Sequence, residues 1–402
     1  MINHQLLGQL AALQGLMMQL AENSPEAQFQ RQIHPELGSL AHILGSAVYR
    51  ELYWLRELVQ QDGALSQRVE KLFRPGALPL AEQCRQLPPQ DHLLNWAAEI
   101  QDQHLQQLAN PGLLPDHPLL QGDAILYFIL QEHALSYERM LSLQLLLQLQ
   151  QQDLSYRAGS ILESRLPQMA FTEVNQGAYR IGSSADDPWA YDNELPQQII
   201  QLSAFAIAQR PVNNAEYLGF IEDAGYQRED LWGSGKAWLR AESRGAPLHW
   251  RKDGHGHWYG LGLNGPADLI ADEPVQGISQ YEAKAFAAWA DLQGGTTAGA
   301  VLPHEFQWEA AVRTQAIQAD GRVWEWCNNL FKPYEGYQRP ASSQYATADF
   351  DDQHLCLRGG CLHTQPLLRR TALRQRALPH WNFAFSGLRL VIPPGKPFWE
   401  KD

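Results

Sequence analysis

The sequence predicts an α+β protein of two parts, a helical bundle followed by a loop-rich mixed domain. Tryptophan divides the chain, because only Trp54 and Trp96 of its 13 tryptophans precede residue 169. Glycine is distributed in the same way, with nine of 31 in the first 168 residues. The first part is rich in Leu, Gln, Ala and Glu, which favour helices, and the second in Gly, Trp, Tyr and Pro, which favour short strands and loops. We therefore predict a bundle over 1–155, a linker over 156–168 and a second domain over 169–402.

Amphipathic patterns predict four main helices in the first part. The clearest apolar stripe follows the 3.6-residue period from Leu40 to Leu58. Four such helices joined by loops are typical of a helix bundle. The predicted helices cover residues 2–21, 37–60, 91–108 and 122–152. In the second part the helical period returns only near 213–224 and 279–292, and short apolar runs alternate with turn signals elsewhere.

Charge and composition exclude several classes of partner. The formal net charge is −13, from 31 Lys and Arg against 44 Asp and Glu. Nucleic acids and anionic membranes need a basic surface, so neither is expected to bind. The opening segment has glutamines at helical spacing and no basic start, which predicts a helix rather than a signal peptide. We expect a cytoplasmic protein, and four sparse cysteines predict no disulfide framework.

A series of short motifs spans nearly all of 169–395 and resembles the formylglycine-generating-enzyme-like domain, which has a C-type-lectin-like fold. The paired cysteines that hold copper in the true formylglycine generators have no counterpart after Gly359-Gly360, so formylglycine formation is disfavoured. The motifs occur in the family's order: Tyr191-Asp192-Asn193-Glu194, Arg210-Pro211-Val212-Asn213-Asn214, Asp272-Glu273-Pro274-Val275, Pro303-His304-Glu305-Phe306, Trp324-Glu325-Trp326, Leu357-Arg358-Gly359-Gly360 and Phe385-Ser386-Gly387-Leu388-Arg389.

The helical part narrows the resemblance to one branch of that family. A DinB-like bundle ahead of this domain is the architecture of the ergothioneine and ovothiol sulfoxide synthases and of the related selenoneine synthases. The segment Leu40-Ala41-His42-Ile43 is similar to the first iron-ligand motif of that branch. The resemblance implies an O₂-dependent non-haem Fe(II) enzyme that joins a thiol or selenol donor to an imidazole substrate. The product would carry a new C–S or C–Se bond.

Family members bind iron with three histidines, two of them in a His-x₃-His-x-Glu motif on the last bundle helix. Residues four apart on a helix project from one face, so two imidazoles can share one metal. His42 matches the first ligand, but the second motif is broken. Without a gap, Glu132 and Ser136 take the two ligand positions, and a shift by one residue places His133 and Tyr137 there.

Three interpretations of the broken motif remain open. The first is an unusual iron site formed by His42, His133 and an oxygen ligand, either Glu132 or Tyr137. The second is a site that has lost its metal, and the third is that His133 only satisfies a hydrogen bond inside the bundle. The remaining histidines of the first part stand in polar or Pro-rich contexts and are predicted to be solvated: His4, His34, His92, His104 and His117.

The resemblance also implies substrate contacts in the second domain. Tyr345 is the nearest match to the family's proton-donating tyrosine, with Tyr334 and Tyr337 as competitors, and a packing role is an equal alternative. The family's betaine-binding Arg-Asn-Trp-Asp-x-Pro stretch corresponds to 374–379. There, Arg374, Gln375 and Arg376 are predicted to bind substrate. A cationic Arg376 favours a carboxylate or phosphate over trimethylammonium, and a surface arginine without a ligand is an equal alternative. The same role is predicted for two residues beyond the Trp-Glu-Trp motif, Asn328 and Asn329.

Two functions from different classes follow from these patterns. The first is an Fe(II)- and O₂-dependent enzyme of the sulfoxide synthase or selenoneine synthase type. The second is a divergent homologue that has lost iron and serves as a binding or scaffolding protein. Iron content discriminates between them, because only the enzyme needs a metal held by His42.

Overall fold

The computed structural model describes residues 3–150, 155–241, 244–339 and 350–394. The chain divides into two compact units, Met1–Gln151 and Gln152–Asp402. The first is helical and the second mixes short strands with helices, which confirms the predicted fold class. No helix in the described ranges is long and apolar enough to cross a membrane.

The first unit is built on four long helices, as predicted. Their bounds agree with the predicted ranges to within a few residues, and α3 continues as a π-helical segment over Leu52–Val59. The three short helices were not predicted. The helices are α1 (His4–Glu22), α2 (Glu26–Phe29), α3 (Leu40–Glu51), α4 (Ser66–Phe73), α5 (Leu80–Arg85), α6 (Gln90–Ala109) and α7 (Ala124–Leu149).

Apolar stripes hold the long helices together. Both α1 and α3 pack against α6 and α7, and the leucines at these contacts are almost fully buried. Ser39 begins α3 by accepting a hydrogen bond from the backbone N–H of His42, at 3.1 Å. Such a cap satisfies one of the free N–H groups of the first turn, so the start of α3 is well defined.

The described part of the second unit contains four small sheets and four α-helices. The strands are β1 (Phe171–Val174), β2 (Gly177–Ile181), β3 (Gln198–Leu202), β4 (Phe205–Ala208), β5 (Trp250–Lys252), β6 (Trp258–Gly262), β7 (Gly265–Asp268), β8 (Trp324–Leu330), β9 (Leu355–Arg358), β10 (Gln375–Ala377), β11 (Ser386–Gly387) and β12 (Val391–Ile392). The helices are α8 (Asn214–Glu222), α9 (Lys236–Ala241), α10 (Gln280–Gln293) and α11 (Glu305–Arg313). The two segments with helical spacing, 213–224 and 279–292, therefore form α8 and α10, whereas α9 and α11 were not predicted.

Helix α11 packs against more than one sheet of the second unit. The largest sheet has the order β10-β9-β8-β11, and α11 contacts β8 and β9. On another side, Trp308 of α11 packs in a core cluster with the sheet β1-β4-β12. The predicted linker is hydrogen-bonded to this unit, since the Tyr156 hydroxyl donates to Asp268 at 2.7 Å and the Arg165 N–H to the Ala215 carbonyl at 3.0 Å.

Candidate functional site

A buried polar cluster crosses the bundle, with one side chain from each long helix. The Glu51 carboxylate of α3 lies between two imidazoles: His133 Nε2 is 2.6 Å from Oε1, and His104 Nδ1 is 2.8 Å from Oε2. Gln14 of α1 donates to Oε1 at 2.9 Å. Glu51 and both histidines are 0% exposed, so water does not weaken these contacts. The prediction that His104 is solvated was wrong.

The contacts of His133 and His104 affect the pKa of Glu51. Nδ1 of His133 lies 3.0 Å from the Ile129 carbonyl, and its Nε2 faces the Glu51 carboxylate. Burial alone raises the pKa of Glu51, but the hydrogen bonds and charges of His104 and His133 outweigh it and hold this pKa well below its usual range.

His42 lies in a different part of the bundle. Its Nε2 is 3.2 Å from Oε1 of Gln83 on α5, and its ring is near Phe73 of α4. Burial lowers the pKa of His42 to about 4, so its imidazole is neutral at neutral pH. Nine residues separate His42 from Glu51, which is about 13 Å along a helix axis. Because His133 contacts Glu51, the structure does not bring His42 and His133 together.

The two ungapped positions of the iron motif, Glu132 and Ser136, share a partner that sequence reasoning missed. Arg50 of α3 forms an ion pair with Glu132, with 3.3 Å between Nε and Oε2. The same guanidinium donates to the Ser136 hydroxyl at 3.1 Å. Both contacts arise because residues four apart lie on one face of α7. Tyr137, the other predicted oxygen ligand, is half-buried, and burial raises its pKa.

These contacts decide whether the bundle fits an iron ion. No group of three or more His, Cys, Asp or Glu side chains in the described part of the chain is arranged to hold a metal. His104 and His133 approach opposite oxygens of Glu51, so their nitrogens do not converge on one point. His42 is about two helical turns away. The described residues therefore do not offer the three converging histidines that the resemblance implies.

In the second unit, Arg374 is part of a buried ion-pair network. Its Nε and Nη2 bind the two oxygens of Glu305 at 2.7 and 2.8 Å, and Nη1 donates to the Asn193 carbonyl at 2.6 Å. Asn329 donates to Glu305 at 3.0 Å and accepts from its backbone N–H at 2.8 Å. Arg374 is 2% exposed. Both predicted substrate-binding residues thus have partners inside the protein, where they fix the start of α11.

The other predicted substrate residues are more accessible. Asn328 is exposed where β8 bulges, and Gln375 and Arg376 are half-buried on β10. Tyr345 lies outside the described residues. Of its competitors, Tyr334 is buried beside the guanidinium of Arg374.

One cavity of the second unit has a volume of about 480 Å³, but none of the predicted residues lines it. Its arginines already pair with carboxylates, Arg165 with Asp272 and Arg210 with Glu216. An anionic ligand would have to displace those carboxylates, so the cavity is a poor candidate for the predicted substrate. It is lined by Arg165, Leu166, Gln168, Arg210, Asn213 and Glu216.

Comparison with known proteins defines the class of the second unit. Residues 162–320 match the model of the Sulfatase-modifying factor enzyme 1-like domain, so the second unit contains a domain of this class. This match confirms the predicted formylglycine-generating-enzyme-like domain.

Individual relatives carry the resemblance further. The chain is 29% identical over 259 residues to a hercynine oxygenase of Mycobacterium tuberculosis, covering 52% of this chain and 57% of that protein. It is 30% identical over 257 residues to a hercynine oxygenase of Mycolicibacterium thermoresistibile, covering 52% of this chain and 55% of that protein. The chain therefore spans just over half the length of these curated relatives. Among solved structures, PvdO from Pseudomonas aeruginosa aligns with a TM-score of 0.35 and 15% identity, over 60% of this chain and all of that one.

Proposed function

We propose that this protein binds a histidine-derived imidazole compound without an iron ion in its bundle. The choice of ligand is supported by similarity to hercynine oxygenases, whose name identifies hercynine as the compound on which they act. One observation supports the absence of iron from the bundle. The guanidinium of Arg50 contacts both α7 positions that the resemblance assigns to the histidine pair, Glu132 and Ser136.

A guanidinium at this place is incompatible with a metal ion. Arginine keeps its positive charge at any physiological pH, and its N–H groups only donate hydrogen bonds. It therefore neutralises Glu132 and repels a second cation. Serine at position 136 is a neutral oxygen ligand and no substitute for an imidazole. The pair on α7 thus serves an internal cation instead of a metal.

The second candidate is the iron enzyme itself. It would use Fe(II) and O₂ to join a thiol or selenol donor to the imidazole, forming a C–S or C–Se bond. The identity of about 30% to hercynine oxygenases favours it. This candidate needs His42 with His133 and either Glu132 or Tyr137 as ligands, and these residues would have to move into contact when iron binds.

Iron content and ligand binding test the two candidates. The full chain is reconstituted with Fe(II) under anaerobic conditions, desalted and analysed for iron, in parallel with His42→Ala. Hercynine binding is measured by calorimetry on the metal-free protein. The proposal expects no retained iron and measurable hercynine binding. Roughly one iron per chain that is lost in His42→Ala supports the enzyme instead. Absence of hercynine binding overturns the proposed ligand.

A gain-of-site variant tests the role of Arg50 directly. Replacing Glu132 and Ser136 with histidines, together with Arg50→Ala, restores two imidazoles four residues apart and removes the guanidinium. We expect this triple variant to retain a divalent metal under conditions in which the wild type retains none. The matched control carries the two histidines but keeps Arg50, and it should bind metal more weakly. Equal metal binding by both variants would show that Arg50 does not keep cations out.

A further inference from the structure

The hairpin that joins β5 to β6 carries two histidines close together at the surface. His255 is exposed and His257 half-buried, and their ring centroids are 6.1 Å apart. With metal–nitrogen bonds of about 2.0–2.1 Å, two imidazoles on one ion have ring centres roughly 5–6 Å apart. Surface side chains change rotamer rapidly, so small rotations close the remaining gap. The two rings are therefore spaced like a pair of ligands to one metal ion.

The backbone of this hairpin is held in place by the carboxylate of Asp253. Its Oδ1 accepts hydrogen bonds from the backbone N–H groups of His255 and His257, at 2.8 and 3.0 Å. Its Oδ2 accepts from the backbone N–H of Ala158 at 3.1 Å, which ties the hairpin to the segment ahead of β1. Gly256, between the two histidines, has a φ of +86°, which glycine adopts without strain. The turn under both imidazoles is thus fixed before an ion binds, so binding does not have to order it.

The charge of the hairpin suits a cation. Burial alone raises the pKa of Asp253, but backbone N–H groups of the hairpin and of Ala158 outweigh it and lower this pKa to about 2. The carboxylate is therefore ionised at neutral pH, and its Oδ2 lies 3.9 Å from Nδ1 of His257. A carboxylate behind a ligating imidazole orients the ring and makes it a better ligand. The cation next in sequence, Lys252, places its ammonium over the Trp258 ring at 4.5 Å, where the aromatic face attracts it.

The chemistry of two imidazoles selects the class of metal. Imidazole nitrogen suits Cu²⁺, Ni²⁺ and Zn²⁺, whereas Mg²⁺ and Ca²⁺ prefer oxygen ligands. Sites of this kind bind Fe²⁺ more weakly than Cu²⁺ or Zn²⁺. Within the described ranges, no larger group of His, Cys, Asp or Glu side chains is arranged to hold a metal. Water would therefore complete the coordination of an ion held by this pair.

We infer that the β5–β6 hairpin binds one divalent transition-metal ion, of the copper, nickel or zinc kind, through the imidazoles of His255 and His257. Asp253 is a positioning residue, because both of its oxygens hold the backbone of the turn. The hairpin belongs to the second unit, so this site is separate from the iron motif of the bundle. It does not depend on the proposed function.

Zinc and copper ions are the probes that test this site. The full chain is treated with a chelator, desalted and titrated with zinc chloride in a calorimeter. We expect roughly one Zn²⁺ per chain and tighter binding of Cu²⁺, in the usual order of divalent metals. Electron paramagnetic resonance of the Cu²⁺ complex should show coupling to imidazole nitrogen. Magnesium chloride at the same concentration should give no binding heat.

Substitutions then assign the metal to these residues. His255→Asn and His257→Asn should each weaken zinc binding at least about tenfold, because a single imidazole cannot chelate. Both side chains reach solvent, so the variants should fold like the wild type, which circular dichroism checks. The matched control is His92→Asn on α6, where the histidine side chain is 71% exposed. This control should keep the wild-type affinity for zinc.

The position of the metal and the proposed function fail in different ways. Wild-type protein that binds neither Zn²⁺ nor Cu²⁺ overturns the hairpin site, and so does wild-type zinc affinity in either His255→Asn or His257→Asn. We expect His42→Ala to keep its zinc affinity, and a loss there would place the ion in the bundle and overturn the hairpin site. Failure to bind hercynine would refute the proposed ligand and leave the hairpin site standing.

Discussion

The buried carboxylate of Glu51 provides the most demanding test of the bundle. Glu51→Gln keeps the shape of the side chain but removes its charge and places an amide NH₂ opposite an imidazole N–H. Three polar atoms lie within 2.6 to 2.9 Å of the carboxylate, and the residue is 0% exposed. Each hydrogen-bond contact to a buried charged group contributes about 1.5–3 kcal/mol, and Glu51→Gln disturbs several of them. Unfolding of a whole domain costs about 5–15 kcal/mol, so the bundle should become marginal.

Urea unfolding of the full chain, followed by far-UV circular dichroism, measures this loss. Hydrogen exchange of peptides from α1, α3, α6 and α7 locates it, since local opening should rise in the bundle and not in the second unit. Glu70→Gln is the matched control, because its ion pair with Arg74 is partly exposed to solvent and such pairs contribute little. A Glu51→Gln protein within about 0.5 kcal/mol of the wild type would refute a stabilising role for this buried carboxylate.

Three further predictions concern pH, packing and the second ion-pair network. The folded-state pKa of Glu51 lies below its ordinary value of 4.5, so the stability it contributes is complete above pH 4.5 and is lost as pH falls through the folded pKa. In urea unfolding at a series of pH values, the free energy of unfolding should therefore change less below pH 4.5 for Glu51→Gln than for the wild type. Gly277→Ala should lower the free energy of unfolding by about 2–3 kcal/mol, more than Gly256→Ala, in thermal or urea unfolding. Both glycines have positive φ, but only at Gly277 would the new Cβ atom lie 2.7 Å from a side chain, the imidazole of His249. Arg374→Lys keeps the charge but loses the two-pronged contact with Glu305, and a loss of about 3 kcal/mol measured by urea unfolding is expected; an unchanged midpoint would contradict a structural role for this arginine.

Long elements were predictable from the sequence because periodic patterns need length. The four long helices repeat their apolar stripe over several turns, and their predicted bounds agree with the structure to within a few residues. Helices such as α2, α4 and α5 have only four to eight residues, which is too short for a stripe to stand out. The strands of the second unit have at most seven residues, so there the order of motifs was more informative than periodicity.

The candidate site was harder to predict, although part of its signal is present in the sequence. His104 lies on the buried stripe of α6, which also contains Leu93, Ala97, Ile100 and Leu108. Its place on this stripe predicts burial more strongly than its polarity predicts exposure. A buried polar residue needs a partner, and here the partner is Glu51 on another helix. The pairing depends on how α3, α6 and α7 pack, which no local pattern contains.

For the same reason, the sequence revealed the mismatch with the family's iron motif but not the contact of Arg50 with those positions. The mismatch with the family's histidine pair at Glu132 and Ser136 can be read from the sequence of α7 alone. The side chain that contacts both positions is Arg50 of α3, about two helical turns beyond His42. The Arg50 guanidinium supplies a positive charge to Glu132. The residues at positions 132 and 136 and the cross-helix contacts of Arg50 therefore belong to one arrangement, and a variant with histidines at both positions should remove both contacts of Arg50 at once.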